Sequence, residues 1–159
     1  MGASAFQFRG NCPAWEQSVM QSMTPTEARQ FAARWLPAWT GNEPLKLAAF
    51  YTDDLFYSDP TLPDGLRGKE NFIRYLSKLL ANNPSWVWTH ESGVPLQDGF
   101  LNKWRLDAPV GDQLVICHGV CTVQIRGGLI YRNEVYFDTL PLITAIRAWN
   151  SRKTSGPTR

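Results

Sequence analysis

The chain changes its hydrophobic period once, at Asn82-Asn83-Pro84, and that switch limits the folds open to it. Before it, apolar residues recur at helical spacing. Ala28, Phe31, Trp35 and Leu36 make one 3.6-residue face; Phe72, Ile73, Leu76 and Leu79-Leu80 make another. After it come four strand-type runs: Trp86–Gly93, Phe100–Leu106, Gln113–Ile125 and Leu129–Asp138. Turn residues separate them at Gln97-Asp98-Gly99, at Ala108 to Asp112 and at Gly127-Gly128, the last a tight-hairpin signal. Helices first and hairpin-linked strands second give the α+β class, with helices on one face of a curved antiparallel sheet.

Local signals place the boundaries. Thr24-Pro25-Thr26-Glu27 is a helix start, with a Thr cap, Pro in the first turn and Glu three places on. Pro37 and Gly41-Asn42 end that helix, and a short one runs from Pro44 to Phe50. Asp53-Asp54 reads as a turn and Leu55 to Ser58 as a short strand. Pro60, Pro63 and Asp64-Gly65 read as a loop, and Lys69 to Leu80 as an amphipathic helix. Residues 1–23 are expected to be an extension, partly disordered, residues 24–150 a single domain, and residues 151–159 a flexible polar tail.

Composition excludes more than it selects. A length of 159 residues suits one domain, and a net charge of +2 carries no basic stripe, so nucleic acid is not an expected partner. No apolar run is long enough for a membrane span. The first residues lack a basic and then apolar leader, so the expected location is cytoplasmic, where the three cysteines stay reduced. Neither a Gly-rich phosphate loop nor a nucleophile elbow is present, so no cofactor is expected.

Four short motifs occur in order: Tyr51-Thr52-Asp53-Asp54, Asp59-Pro60, Gly68-Lys69-Glu70 and Tyr136-Phe137-Asp138. With the helix-then-strand order, the chain from about Thr26 to Leu142 resembles the nuclear transport factor 2-like superfamily, in its SnoaL-like and ketosteroid-isomerase-like branch. The resemblance implies a cone-shaped, cystatin-like fold, whose curved sheet wraps around N-terminal helices and leaves an apolar pocket at its wide end. It also implies a homodimer through the sheet. In ketosteroid isomerases the acid before the proline is the proton-shuttling base, and Asp59 matches it. The oxyanion-hole donors of those enzymes fall here at Trp35 and Cys121. Val135 stands where polyketide cyclases and limonene-type epoxide hydrolases carry an Asp, and Tyr57 matches a Tyr of the latter. Both chemistries thus lack a principal group in this chain.

Asp59 is the catalytic candidate, because desolvation at the lip of an apolar pocket makes a carboxylate a better base. Tyr57, Trp35 and Asn133 are candidate orienting donors, and Trp104, Cys121, Val135 and Phe137 candidate pocket walls. Trp35, Trp39, Trp86, Trp88 and Trp104 exceed what a minimal core needs, which suits a flat or apolar ligand. Asp138 reads as a turn cap, and His90 as structural. Cys117-His118-Gly119-Val120-Cys121 does not read as a metal site, because strand alternation turns His118 away from both cysteines. The expected function is binding of an apolar or aromatic small molecule. Two forms stay open: cofactor-independent proton transfer of isomerase, cyclase or hydrolase type with Asp59 as base, or binding without catalysis.

Overall fold

The computed structural model of the protein describes residues 22–154. Nearly all of the expected extension, and residues 155–159 of the expected tail, lie outside the described residues.

The helical half begins with α1 (Pro25–Trp35). Its start is a reciprocal cap: the Thr24 hydroxyl accepts from the Glu27 amide at 3.2 Å, while the Thr24 amide donates to the Glu27 carboxylate at 2.8 Å. Ala28, Phe31, Ala32 and Trp35 form its buried face. A 3₁₀ turn (Leu36–Trp39) and α2 (Pro44–Ala48) follow, and then β1 (Tyr51–Asp59), β2 (Leu62–Arg67) and α3 (Lys69–Asn82). The second half is β3 (Val87–Leu96), β4 (Gly99–Val110), β5 (Gln113–Arg126) and β6 (Leu129–Phe137), closed by α4 (Leu140–Thr154). The six strands form one curved, open sheet in the order β2-β1-β6-β5-β4-β3, with the N-terminal helices against its inner face. The α+β class and its wrapped sheet are therefore as expected. No helix among the described residues is long and apolar enough to cross a membrane.

Four details differ from the sequence reading. The sheet is antiparallel throughout except where β1 runs parallel to β6, a pairing between strands far apart in the chain. Asp53-Asp54 lies inside β1 rather than in a turn. A register shift against β6 between Tyr51 and Phe56 accommodates it, and ion pairs to Lys69 (3.0 Å) and Arg126 (2.7 Å) neutralise the two acids. The segment after Pro60 is the edge strand β2, where Pro63 is tolerated because an edge strand has one unpaired side. Finally, α4 carries residues 151–154, which were expected in the tail. Asp138 starts it by accepting from the Leu140 amide at 2.9 Å.

Two aromatic–glycine contacts fix the sheet and α4. Trp104 on β4 faces Gly119 on β5, and its indole lies so close that a Cβ at 119 would sit 2.3 Å from it. The Trp149 indole of α4 packs over Gly111 in the β4–β5 turn, where φ is +63° and only glycine is relaxed. A buried polar chain crosses the same layer: His90 Nδ1 meets Asn102 Oδ1 at 2.6 Å, and Asn102 Nδ2 reaches the Cys121 sulfur at 3.8 Å.

Gly119→Ala is expected to force Trp104 out of place and to destabilise the fold by about 1–3 kcal/mol, as overpacking does; urea unfolding of the two proteins measures it. The cysteines give a second test. Cys117 and Cys121 are both buried on β5, and burial pushes the Cys121 thiol up to about 12. In a Cys12→Ser protein at about pH 8 neither thiol should react with Ellman's reagent within minutes, and both should react after unfolding. A fast thiol in the folded protein would mean that the inner face of β5 is open to solvent.

Candidate functional site

A cavity of about 190 Å³ opens between the sheet and the helices. β1 supplies Tyr57 and Asp59, β6 supplies Val135 and Phe137, and β3 supplies Trp88. Trp39 on the 3₁₀ turn and Tyr75 and Leu79 on α3 form the opposite side. Leu142, Ile143 and Ile146 of α4 complete it. The walls are almost wholly apolar, and among the described residues no Lys, Arg or His lines them.

Among the described residues Asp59 is the one carboxylate of this cavity, and it is only 8% exposed. Its Oδ1 accepts from the Thr61 amide at 2.7 Å, the Thr61 hydroxyl at 2.7 Å and the Leu62 amide at 3.1 Å. An aspartate bonded to backbone amides just ahead of it in the chain is a turn-forming arrangement, and here it folds the β1–β2 hairpin. Its Oδ2 accepts from the Tyr57 hydroxyl at 3.0 Å and from the Tyr75 hydroxyl. Five donors thus meet an ionised group with about four lone-pair sites, so the carboxylate is saturated. Burial raises the hydroxyl pKa of both tyrosines; Tyr75 and Asp59 push Tyr57 further, and the Asp59 charge pushes Tyr75 further. Both stay phenols and remain donors at neutral pH.

The structure gathers part of the residue set expected from sequence. Asp59, Tyr57, Val135 and Phe137 share the cavity. Trp104 and Cys121 line a smaller space of about 30 Å³, which shares Trp39, Tyr57, Trp88 and Val135 with the main cavity. Trp35 and Asn133 do not reach either space. Trp35 Nε1 and Asn133 Nδ2 both donate to the buried Tyr51 hydroxyl, at 3.2 and 3.0 Å. Asn133 shares the strand face of Val135 and Phe137 but lies deeper along β6, under the helices, where Tyr51 occupies it. Trp35 is held in the core between Trp39 and Phe100. His118 points outward and pairs with Glu91 at 3.0 Å, while Cys117 and Cys121 face inward.

Tyr75 is the principal residue that the sequence reading missed. Its signal was present: it lies three residues after Phe72 and four before Leu79, on the buried stripe of α3, and it is the only hydroxyl there. The α4 wall was missed with α4 itself.

A family model for the SnoaL-like domain matches residues 32–133. No curated protein matches the chain. Three solved structures are similar in fold. One is a hypothetical protein with a ketosteroid isomerase-like fold from Catenulispora acidiphila DSM 44928, solved in complex with trimethylamine. It is 16% identical, has a TM-score of 0.67, and the match covers 74% of this chain and 92% of that one. A candidate SnoaL-like polyketide cyclase from Jannaschia sp. CCS1 is 19% identical with a TM-score of 0.64, over 80% of this chain and 98% of that one. An uncharacterised cystatin-fold protein from Novosphingobium aromaticivorans is 19% identical with a TM-score of 0.56, over 67% and 95%. At these identities the structures speak for the fold, and the family match spans most of the described domain. The chain belongs to the SnoaL-like domain family.

Proposed function

We propose that the cavity is a small-molecule site with Asp59 as its polar anchor. One observation carries this reading: a single buried carboxylate faces an otherwise apolar, aromatic-walled cavity in a family whose fold neighbours include a candidate cyclase. The neighbour solved with trimethylamine supports small-molecule occupancy of such a fold. Saturation of Asp59 by five donors favours binding over catalysis in this geometry.

Proton transfer by Asp59 is the second reading, and the position of Tyr75 favours it. Tyr75 is the half-open donor of the two on Oδ2, and its departure would free a lone pair toward the cavity. We also infer a homodimer through the outer sheet face, where Ile116 and Tyr136 are exposed on neighbouring strands.

Cyclohexanone tests both site readings. Binding should shift the methyl resonances of Val135, Leu142, Ile143 and Ile146, and Val135→Trp, which fills the cavity, should abolish those shifts; unchanged methyl spectra in wild type would rule out a neutral ketone as its occupant. In D₂O, exchange of the ketone's α-protons above the buffer rate, lost in Asp59→Asn, would establish the base. Exchange equal to buffer in wild type would leave binding alone. For the dimer, light scattering on a sizing column should give twice 18.0 kDa, and Tyr136→Glu should return the monomer; a wild-type monomer refutes it.

A further inference from the structure

We infer that the occupant of the cavity is a small organic cation whose nitrogen is alkylated, a tertiary or quaternary ammonium group. The inference rests on the reading of this cavity as a small-molecule site and names the chemistry of its ligand.

The first observation is a charge without a counter-charge. Asp59 is 8% exposed, and all five of its partners are neutral donors: two amides, one threonine hydroxyl and two phenols. They satisfy its lone pairs but leave its negative charge in place. Among the described residues it takes part in no ion pair, and none of them brings a cationic side chain to the cavity. A buried charge is costly unless an opposite one approaches it. Asp59 also borders a more open space of about 430 Å³ beside Pro60, Pro63 and Glu134, and of the two the aromatic-walled cavity is the more enclosed one from which such a charge can come.

The second observation is the wall. Six aromatic rings line the cavity: Trp39, Tyr57, Tyr75, Trp86, Trp88 and Phe137. Five of them form a continuous arc. Centroid distances run 5.5 Å from Tyr75 to Tyr57, 5.8 Å on to Trp39, 5.9 Å on to Trp88 and 6.2 Å on to Trp86. Ring faces attract a cation placed within about 6 Å of their centroids, and a set of them around one space is how quaternary ammonium groups are recognised. Three of these rings are indoles, the strongest of the three ring types in this role.

The third observation selects the kind of cation. A primary ammonium brings three N–H donors, but the carboxylate that would receive them is already saturated. An alkylated nitrogen carries its charge to Asp59 with one N–H or none, and its methyl groups suit the apolar wall. Size agrees: a cavity of about 190 Å³ has room for a compact head group.

Choline and its neutral carbon isostere, 3,3-dimethyl-1-butanol, separate the charge from the shape. Both are titrated calorimetrically into the full chain. Choline should bind at least about tenfold more tightly than the alcohol, the size of a desolvated cation–ring and cation–carboxylate preference. Asp59→Asn should remove the preference and bring the ratio of the two affinities to about one. Because that substitution also touches the hairpin, Trp86→Leu at the cavity rim serves as a second variant, and it too should lower the ratio of choline to alcohol affinity. Equal affinity for the two compounds in wild type overturns the cation while the small-molecule site stands. Choline binding that survives Asp59→Asn at full strength overturns the carboxylate as the counter-charge. If neither compound binds, and cyclohexanone fails as well, the site itself falls.

Discussion

The Asp59 carboxylate is the point on which the inner architecture depends. Its Oδ1 takes the amides that fold the β1–β2 hairpin, and its Oδ2 takes a phenol from its own strand and another from α3. One side chain therefore joins the sheet edge to the helix that covers it. This works only because the group is buried together with its donors; an unbonded carboxylate at 8% exposure would be strongly unfavourable. The same arrangement clears the cavity of competing polar groups, since both tyrosine hydroxyls turn toward Asp59. The walls become apolar as a consequence of the staple, with charge concentrated at one spot.

The cavity is finished by the last element of the chain, α4. The sheet, α1 and α3 share one core through Phe31, Trp35, Phe72 and Phe100, and α4 joins it through Leu142. α4 packs mainly on β4 and β5, with Trp149 over Gly111, and brings Leu142, Ile143 and Ile146 to the cavity. β1 and α3 cannot move without breaking bonds to Asp59, and α4 is held by Leu142 in the core and by Trp149 over Gly111.

How much of this was legible in the sequence follows from the range of each interaction. The capped start of α1, the stripe of α3 and the four strands after Pro84 are local patterns, and the structure has them nearly where periodicity places them. Asp59, Tyr57, Val135 and Phe137 were legible because the acid-Pro step and strand alternation fix their facing. Trp35 and Asn133 were misplaced because alternation gives a face and not a depth, and Tyr51 intervenes at their level. The parallel β1–β6 pairing has no local signature. α4 was hidden although Leu142, Ile143, Ile146 and Trp149 stand at helical spacing, because Pro141 near its start resembles a loop signal, although proline suits a first helical turn.

The two roles open to Asp59 make different demands on the same lone pairs. A staple needs every donor in place, and a base needs one acceptor site free. Tyr57 cannot supply that freedom, because it is fully buried on the same strand and packed against Phe72 at 5.0 Å. Tyr75 is the less enclosed of the two and belongs to a different element, so any proton transfer through Oδ2 must begin with movement of Tyr75 or α3. A cationic ligand asks for no such rearrangement. It uses the charge, which five neutral donors leave intact, and it leaves every hydrogen bond of the staple as it stands. The carboxylate that holds the hairpin and α3 together can in this way serve as the recognition element of the cavity without ceasing to be structural.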